Sequence, residues 1–376
     1  MSRSTQVILS LFACLCLISF LFYAERHFDG YQLRILNLIA INAILAVSLN
    51  LIYGFTGMFS LGHAGFMAIG AYVCAILLLS PEQKEIMWIL EPMFGPLQNA
   101  HLPFFFAVIA GGFCAAIIGL VIALPVLRLG GDYLGIATLG FAEIIRVVIT
   151  NATPITNGSL GIKGIPQEAT LWWNYGWLAF TVIFVVLLLR SNTGNVLRSI
   201  RDDEIAAKTM GVNTFFYRSA SFTIGAFFAG VGGALMAALI STIDPKMFNF
   251  LLTFNILMIV VAGGLGSITG SIVGSVIITY LLEKLRIVEN PFSPGVVHIP
   301  GFPNASIDLS FINIPGIPGL RMVVFSVLLM AIILFWRRGL LGQNEFTWNN
   351  ALSLIKRVWF FIVGRNTKAK KHGEGQ

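Results

Sequence analysis

The sequence predicts an all-α protein, a polytopic bundle of transmembrane helices with about ten apolar segments, and three observations carry that expectation. Hydrophobic residues make up 57% of the 376-residue chain, and Asp, Glu, Lys and Arg together only 11%, against roughly 25% charged residues in a soluble domain. The mean hydropathy is +0.84. Uncharged stretches recur along the chain at or above the ~20 residues that a helix needs to cross hydrocarbon. No single soluble core could bury so much apolar side chain. Disordered, collagen-like and disulfide-stapled classes are excluded on the same composition.

The segments follow in order. Ser4–Ala24 is uncharged, and no small-x-small cleavage site follows it, so it reads as a retained first span rather than a signal peptide. Ile35–Pro81 contains no Asp, Glu, Lys or Arg and is too long for one helix; Gly54-Phe55-Thr56-Gly57 divides it into a second and a third span. Pro103–Leu127, Asp132–Thr150, Tyr175–Leu189 and Ser219–Ser241 supply the fourth to seventh. Met247–Leu282 divides at Gly263-Gly264-Leu265-Gly266-Ser267 into an eighth and a ninth, and the sequence leaves open whether these cross fully or are broken or re-entrant. Arg321–Trp336 is the tenth. Small residues recur every four positions in the ninth (Gly266, Gly270, Gly274) and seventh (Gly225, Ala229, Gly233, Ala237), the spacing that lets helix backbones approach closely in lipid.

A net charge of +7 and a pI near 9.4 suggest a nucleic-acid binder, but the distribution excludes it. The basic residues cluster at Arg190–Arg218 and from Arg337 to Lys371, with no interleaved aromatic surface. Ten crossings with both termini inside put 15 of the 24 Lys and Arg in the cytoplasm, eight outside and one, Arg146, within a span. That satisfies the positive-inside rule. Cys14, Cys16, Cys74 and Cys114 lie in apolar stretches without disulfide or metal-ligand spacing and read as packing residues.

No catalytic constellation and no metal site is present in the sequence. HExxH and Gly-x-Ser-x-Gly are missing, and Gly is never followed by Lys, so there is no Walker A loop. Glu143 and Arg146, three residues apart on one helix face, read either as a structural ion pair or as part of a polar route. His63, in Ser60-Leu61-Gly62-His63-Ala64-Gly65-Phe66, reads as a hydrogen-bonded structural group or as a relay. The glycine-rich breaks at 54–65 and 263–267 would expose backbone groups that hydrocarbon tolerates only under protein or a watery cavity. Asn195–Tyr217 predicts short amphipathic helices ended by Gly211, read as an interfacial loop or as a knob that docks into a partner.

Five blocks carry a resemblance. LIYGFTGMFSLGHAGFMAIGAY (Leu51–Tyr72) and LPVLRLGGDYLGIATLGFAEII (Leu124–Ile145) resemble signature blocks of the permeases of branched-chain amino-acid ABC importers, specifically the LivM type. NGSLGIKGIP (Asn157–Pro166), IRDDEIAAKTMGV (Ile200–Val212) and VAGGLGSITGSIVG (Val261–Gly274) continue the series in family order, so the resemblance runs from about residue 35 to 340. It implies an ABC-importer permease architecture, with residues 1–340 as the transmembrane domain, 195–217 as its cytoplasmic coupling loop and 341–376 as a basic cytoplasmic tail. It also implies a LivH-type paralogous permease, two cytoplasmic ATPase subunits that use ATP and Mg, and an extracytoplasmic amino-acid-binding protein. No cofactor is then bound by this chain, which would lie in the plasma (inner) membrane with both termini cytoplasmic.

By the same resemblance the loop 200–211 contains the ATPase-docking coupling helix, with Arg201, Asp203, Glu204, Ala206, Ala207 and Gly211 as its candidates. The importer signature Glu-Ala-Ala-x-x-x-Gly is met at Ala206, Ala207 and Gly211, but Ile205 holds the Glu position and Glu204 stands one residue early. Polarity and depth, rather than a family motif, select Ser60, His63, Thr138, Glu143, Gly263, Gly264, Gly266 and Ser267 as substrate-pathway candidates. The function expected is ATP-driven import of leucine, isoleucine and valine. The alternatives are an ABC permease for other amino acids, urea or short amides, and a stand-alone secondary transporter, which the single buried acid disfavours.

Overall fold

The computed structural model describes residues 3–88, 91–129 and 133–289, with short pieces at 296–298, 306–308 and between 323 and 342. In chain order the helices are α1 (Arg3–His27), α2 (Gly30–Asn50), α3 (His63–Leu78), α4 (Pro81–Met87), α5 (Gly95–Gln98), α6 (Phe104–Val126) and α7 (Tyr133–Asn151). They continue with α8 (Thr153–Thr156), α9 (Leu171–Arg190), α10 (Asn192–Asp202), α11 (Glu204–Thr209), α12 (Thr214–Ile240), α13 (Phe250–Gly263) and α14 (Ile268–Glu289). Two short antiparallel pairs complete the list: β1 (Ile162–Lys163) with β2 (Thr242–Ile243), and β3 (Val296–His298) with β4 (Ser306–Asp308).

The chain divides into two compact units, 1–29 with 344–376, and 30–343. In the first, the described element is α1, a 25-residue helix over the predicted first segment. The second holds seven helices long and apolar enough to span a membrane among the described residues, or eight when the pair α3–α4, bent by 115°, is taken as one. This is a polytopic membrane protein. Of the ten predicted segments, the second to ninth each meet a helix of this unit, whereas Arg321–Trp336 lies largely outside the described residues.

The helices begin and end where local chemistry allows. The bend between α3 and α4 is held by a capping box in which the Ser80 side chain accepts from Gln83 N while the Gln83 side chain accepts from Ser80 N. The buried Lys84 donates to the carbonyls of Leu97 (2.9 Å) and Ala100. Helix α12 starts five residues before the predicted Ser219: Asn213 caps it by accepting from Phe216 N, and Arg218 is neutralised by Glu204 at 2.7 Å. The apolar window had stopped at that arginine.

Helix α12 is the centre of the unit and packs on α6, α3 and α2. The contact is made by small residues: a methyl at Gly70 would run into the Gly230 carbonyl, and one at Gly111 would come within 2.7 Å of the Gly70 carbonyl oxygen. Three backbones therefore meet where lipid supplies no hydrophobic drive and close van der Waals approach must replace it. Helix α14 runs antiparallel to α2, joined by Asn42 Nδ2 to Thr279 Oγ1 (2.9 Å) and the Tyr31 hydroxyl to Glu283 (2.9 Å). The β1–β2 pair ties the loop before α9 to the one before α13.

Candidate functional site

The two glycine breaks meet. Helix α2 ends at Asn50, continues as one π-helical turn (Leu51–Phe55) and then unwinds until His63. The second break, Gly264–Ser267, separates α13 from α14. Asn50 joins them with three bonds: its Nδ2 donates to Ser267 O (2.9 Å) and Ser271 Oγ (2.8 Å), and its Oδ1 accepts from Gly266 N (2.9 Å). A buried amide with three of its four bonds made is a strong tie. The approach needs glycine: a Cβ on Gly54 would overlap both Asn50 Oδ1 and the Gly266 nitrogen. Gly266 itself holds φ +80°, in the left-handed region.

Arg201 reaches this junction from α10. Its Nη1 donates to Gly54 O at 3.2 Å, its aliphatic stem lies along Gly57, and Asp202 holds the guanidinium through Nε (3.0 Å) and Nη2 (2.8 Å). Arg201 was expected on a docking surface; its side chain is instead turned inward onto both breaks.

The rest of the predicted coupling loop forms two short helices. Leu197 and Ile200 bury the inner face of α10. Asp203 caps α11 by accepting from Ile205 N (2.8 Å) and Ala206 N (3.0 Å). Glu204 braces the loop against α12, pairing with Arg218 and with Lys208 (2.9 Å). Burial alone raises the Glu204 pKa, and Lys208, Arg218 and Thr214 outweigh it, so the carboxyl sits below its ordinary range. Ala207 is buried, Ala206 is exposed, and Gly211 (φ +83°) ends the helix. Two large apolar residues also face outward, Ile205 at 76% and Met210 at 84% exposed.

The remaining pathway candidates gather around 57–64, but most spend their polar atoms on the protein. Thr138 Oγ1 accepts from Leu61 N and donates to Gly135 O, each at 2.9 Å. Ser60 is buried and its Oγ accepts from Gly62 N at 3.4 Å. His63, fully buried at the start of α3, shares a 2.8 Å bond between Nε2 and Ser48 Oγ. The same hydroxyl lies 2.8 Å from Leu45 O. All three bond to the protein, and His63 Nδ1 is left buried without a partner. Glu143 differs: with Asn249 and Thr253 it lines a groove of about 360 Å³ walled by Leu61, Ala64, Leu139, Ala142, Phe248 and Phe250. A second cavity, about 390 Å³ between α6 and α9, is lined by aromatic and aliphatic residues such as Phe105, Trp173 and Trp177, and presents no charge.

The structure thus joins Gly54, Gly266, Ser267 and Arg201 at one junction and Glu143 with the 61–64 loop at another. Gly263 and Gly264 form the end of α13, with Gly263 packed on Gly270, rather than the groove. Sequence reasoning missed Asn50, Ser48 and Thr253. A lone Asn or Ser in an apolar run carries no motif, and only its partner 15 to 221 positions away gives it meaning.

Two apposed helix breaks, a groove lined by Glu143, Asn249 and Thr253, and a pair of short helices between α9 and α12 are set in a polytopic membrane bundle. The family model described as "Branched-chain amino acid transport system / permease component" matches residues 31–334, and the chain belongs to that family. It is 33% identical over 286 residues to the high-affinity branched-chain amino acid permease protein LivM of Escherichia coli K12, an alignment covering 67% of this chain and 63% of the relative. It is 23% identical over 329 residues to the probable LivM of Methanocaldococcus jannaschii, covering 80% and 90%. The LivH permease of Salmonella typhimurium matches at 24% over 282 residues, covering 69% and 84%. The chain therefore spans less than two thirds of the length of the E. coli relative. No solved structure matches it.

Proposed function

We propose that this chain is one membrane-spanning subunit of an ATP-driven importer of branched-chain amino acids. The observation that carries this reading is the family match over 31–334, supported by relatives whose names specify high-affinity branched-chain amino acid transport. A LivH-type paralogue would be the second permease, since the chain is also similar to proteins of that name. Two ATPase subunits, binding ATP and Mg, and an extracytoplasmic binding protein would complete the assembly. Ten crossings with both termini in the cytoplasm is the topology that best fits the charges. It puts residues 54–57, 190–218 and 263–267 on one side, in keeping with their contacts.

Coupling would then run along a short path. The exposed Ile205, Ala206 and Met210 supply an apolar knob for a cytoplasmic ATPase, and Arg201 connects the helices bearing that knob to the junction of Gly54 and Gly266. Motion of the knob would pull on both helix breaks together, reversing the exposure of a route between the subunits.

The test is uptake of radiolabelled leucine in cells with and without this gene, competed by unlabelled valine, alanine, glutamate and urea. Loss of leucine uptake with valine the strongest competitor supports the reading. Unchanged leucine uptake alongside loss of another solute removes the substrate assignment.

A further inference from the structure

The groove beside Glu143 has the chemistry of a substrate site. Helix α7 is long and apolar enough to span a membrane, yet it is the least buried of the seven such helices, at 22%. Its Glu143 side chain is 55% exposed, with Arg146 one turn on. Charged groups facing hydrocarbon at a helix centre are disfavoured and in membrane proteins almost always face protein or a watery cavity. This face is therefore turned to water or protein in the working assembly. Arg146 Nε lies 3.1 and 2.9 Å from the two Glu143 oxygens, which orients the carboxylate while leaving it lone pairs to offer.

Glu143 lines the groove, and Arg146, bonded to it, stands one turn on. The groove measures about 360 Å³, at the small end of the roughly 300–1,000 Å³ typical of small-molecule sites. Beside the acid the lining includes the polar Asn249 and Thr253, and the rest of the wall is aliphatic and aromatic, chiefly Leu61, Leu139, Ala142, Phe248 and Phe250. A charged end and an apolar trough select a molecule with both. The other cavity, without a charge, lacks the first requirement.

We propose that this groove binds the zwitterionic head and aliphatic side chain of the transported amino acid. The ammonium pairs with Glu143, the α-carboxylate with Arg146, and the side chain lies against Leu139, Ala142 and Phe250. The adjacent opposite charges on α7 complement the adjacent opposite charges of the α-carbon substituents, so an amine or an acid alone satisfies only half of the pair. This site rests on the reading of the chain as an amino-acid permease and deepens it by naming where specificity is exercised inside the membrane.

The experiment measures binding of leucine to the detergent-purified permease–ATPase complex, without binding protein, by saturation-transfer NMR. The probes are leucine, 4-methylpentanoate (which lacks the ammonium) and isoamylamine (which lacks the carboxylate). Leucine is expected to bind about tenfold or more tighter than either analogue, the weight of one charge-assisted hydrogen bond. Glu143→Gln is expected to abolish the advantage of leucine over 4-methylpentanoate and leave that over isoamylamine; Arg146→Gln does the reverse. Ala142→Leu, which narrows the trough without touching the charges, is expected to shift preference from leucine towards alanine. A purely structural ion pair would weaken all probes equally. Equal loss for all three, no discrimination by the wild type, or no leucine signal overturns the proposal. Leucine uptake by the wild-type importer is measured in parallel: if uptake is present and the ratios do not move, the groove is wrong and the permease reading stands, whereas no leucine uptake removes the substrate assignment on which this site rests.

Discussion

Replacing Gly54 by alanine adds one methyl at the tightest point of the junction. That Cβ would overlap Asn50 Oδ1 and the Gly266 nitrogen and lie 3.0 Å from Asn50 Cγ. The atoms it meets are backbone and a fully buried amide already committed to three bonds, so none can swing aside. Overpacking of a well-filled interior costs about 1–3 kcal/mol. Displacing Asn50 also leaves the Gly266 N–H without its acceptor, for about 1–3 kcal/mol more. The sum, roughly 2–6 kcal/mol, is comparable to much of a domain's net stability. Gly140→Ala is the control, since nothing lies within 4 Å of its added Cβ. The assay is thermal unfolding of the detergent-purified complex, with leucine uptake in parallel. Gly54→Ala is expected to lower Tm by several degrees and abolish uptake, with Gly140→Ala unchanged in both. If the two variants share one Tm, the two breaks are not in contact and the coupling path drawn through them fails.

Other outcomes follow from the same geometry. Arg201→Met, which keeps the stem along Gly57 and removes the donor to Gly54 O, is expected to retain basal ATP hydrolysis by the assembled complex and lose leucine uptake; Arg201→Lys is expected to restore part of it. Ile205→Glu or Met210→Glu is expected to leave the chain inserted but reduce co-purification of the ATPase subunits, measured by pull-down in mild detergent. Asp203→Ala removes the cap from two N–H groups of α11 and is expected to cost about 1 kcal/mol, read as a small fall in Tm. The Glu204 carboxyl is held below its ordinary range, so its contribution is complete above the unfolded value of about 4.3 and is lost as pH falls through the lower folded value. Glu204→Gln is therefore expected to flatten the acid side of a Tm-against-pH curve and leave its neutral side lower than wild type.

Much was legible in the sequence because a membrane imposes a one-dimensional rule. An apolar run long enough to cross must be helical, since its backbone groups find no water there. The runs alone therefore place α2, α3, α6, α7, α9, α12, α13 and α14 and the two breaks, and Gly211 and the Asp203–Glu204 pair mark α11. The charges that fall in such runs are legible as well: Glu143 and Arg146 form an ion pair, and Glu143 lines the groove.

Only the tertiary structure decided which of these parts touch. Asn50 and Ser271 are 221 positions apart, and Arg201 and Gly54 are separated by 147. Hydropathy cannot register such pairs, because it measures each segment against lipid and not against another segment. The same limit explains why the half-buried contact of Arg201 with Gly54, and the bonds that Ser60, His63 and Thr138 make to the protein, are invisible in the sequence. A polar side chain in an apolar run must find a partner; whether that partner is backbone or substrate depends on which helix stands opposite, and that is set by glycine-to-glycine approach across α3, α6 and α12.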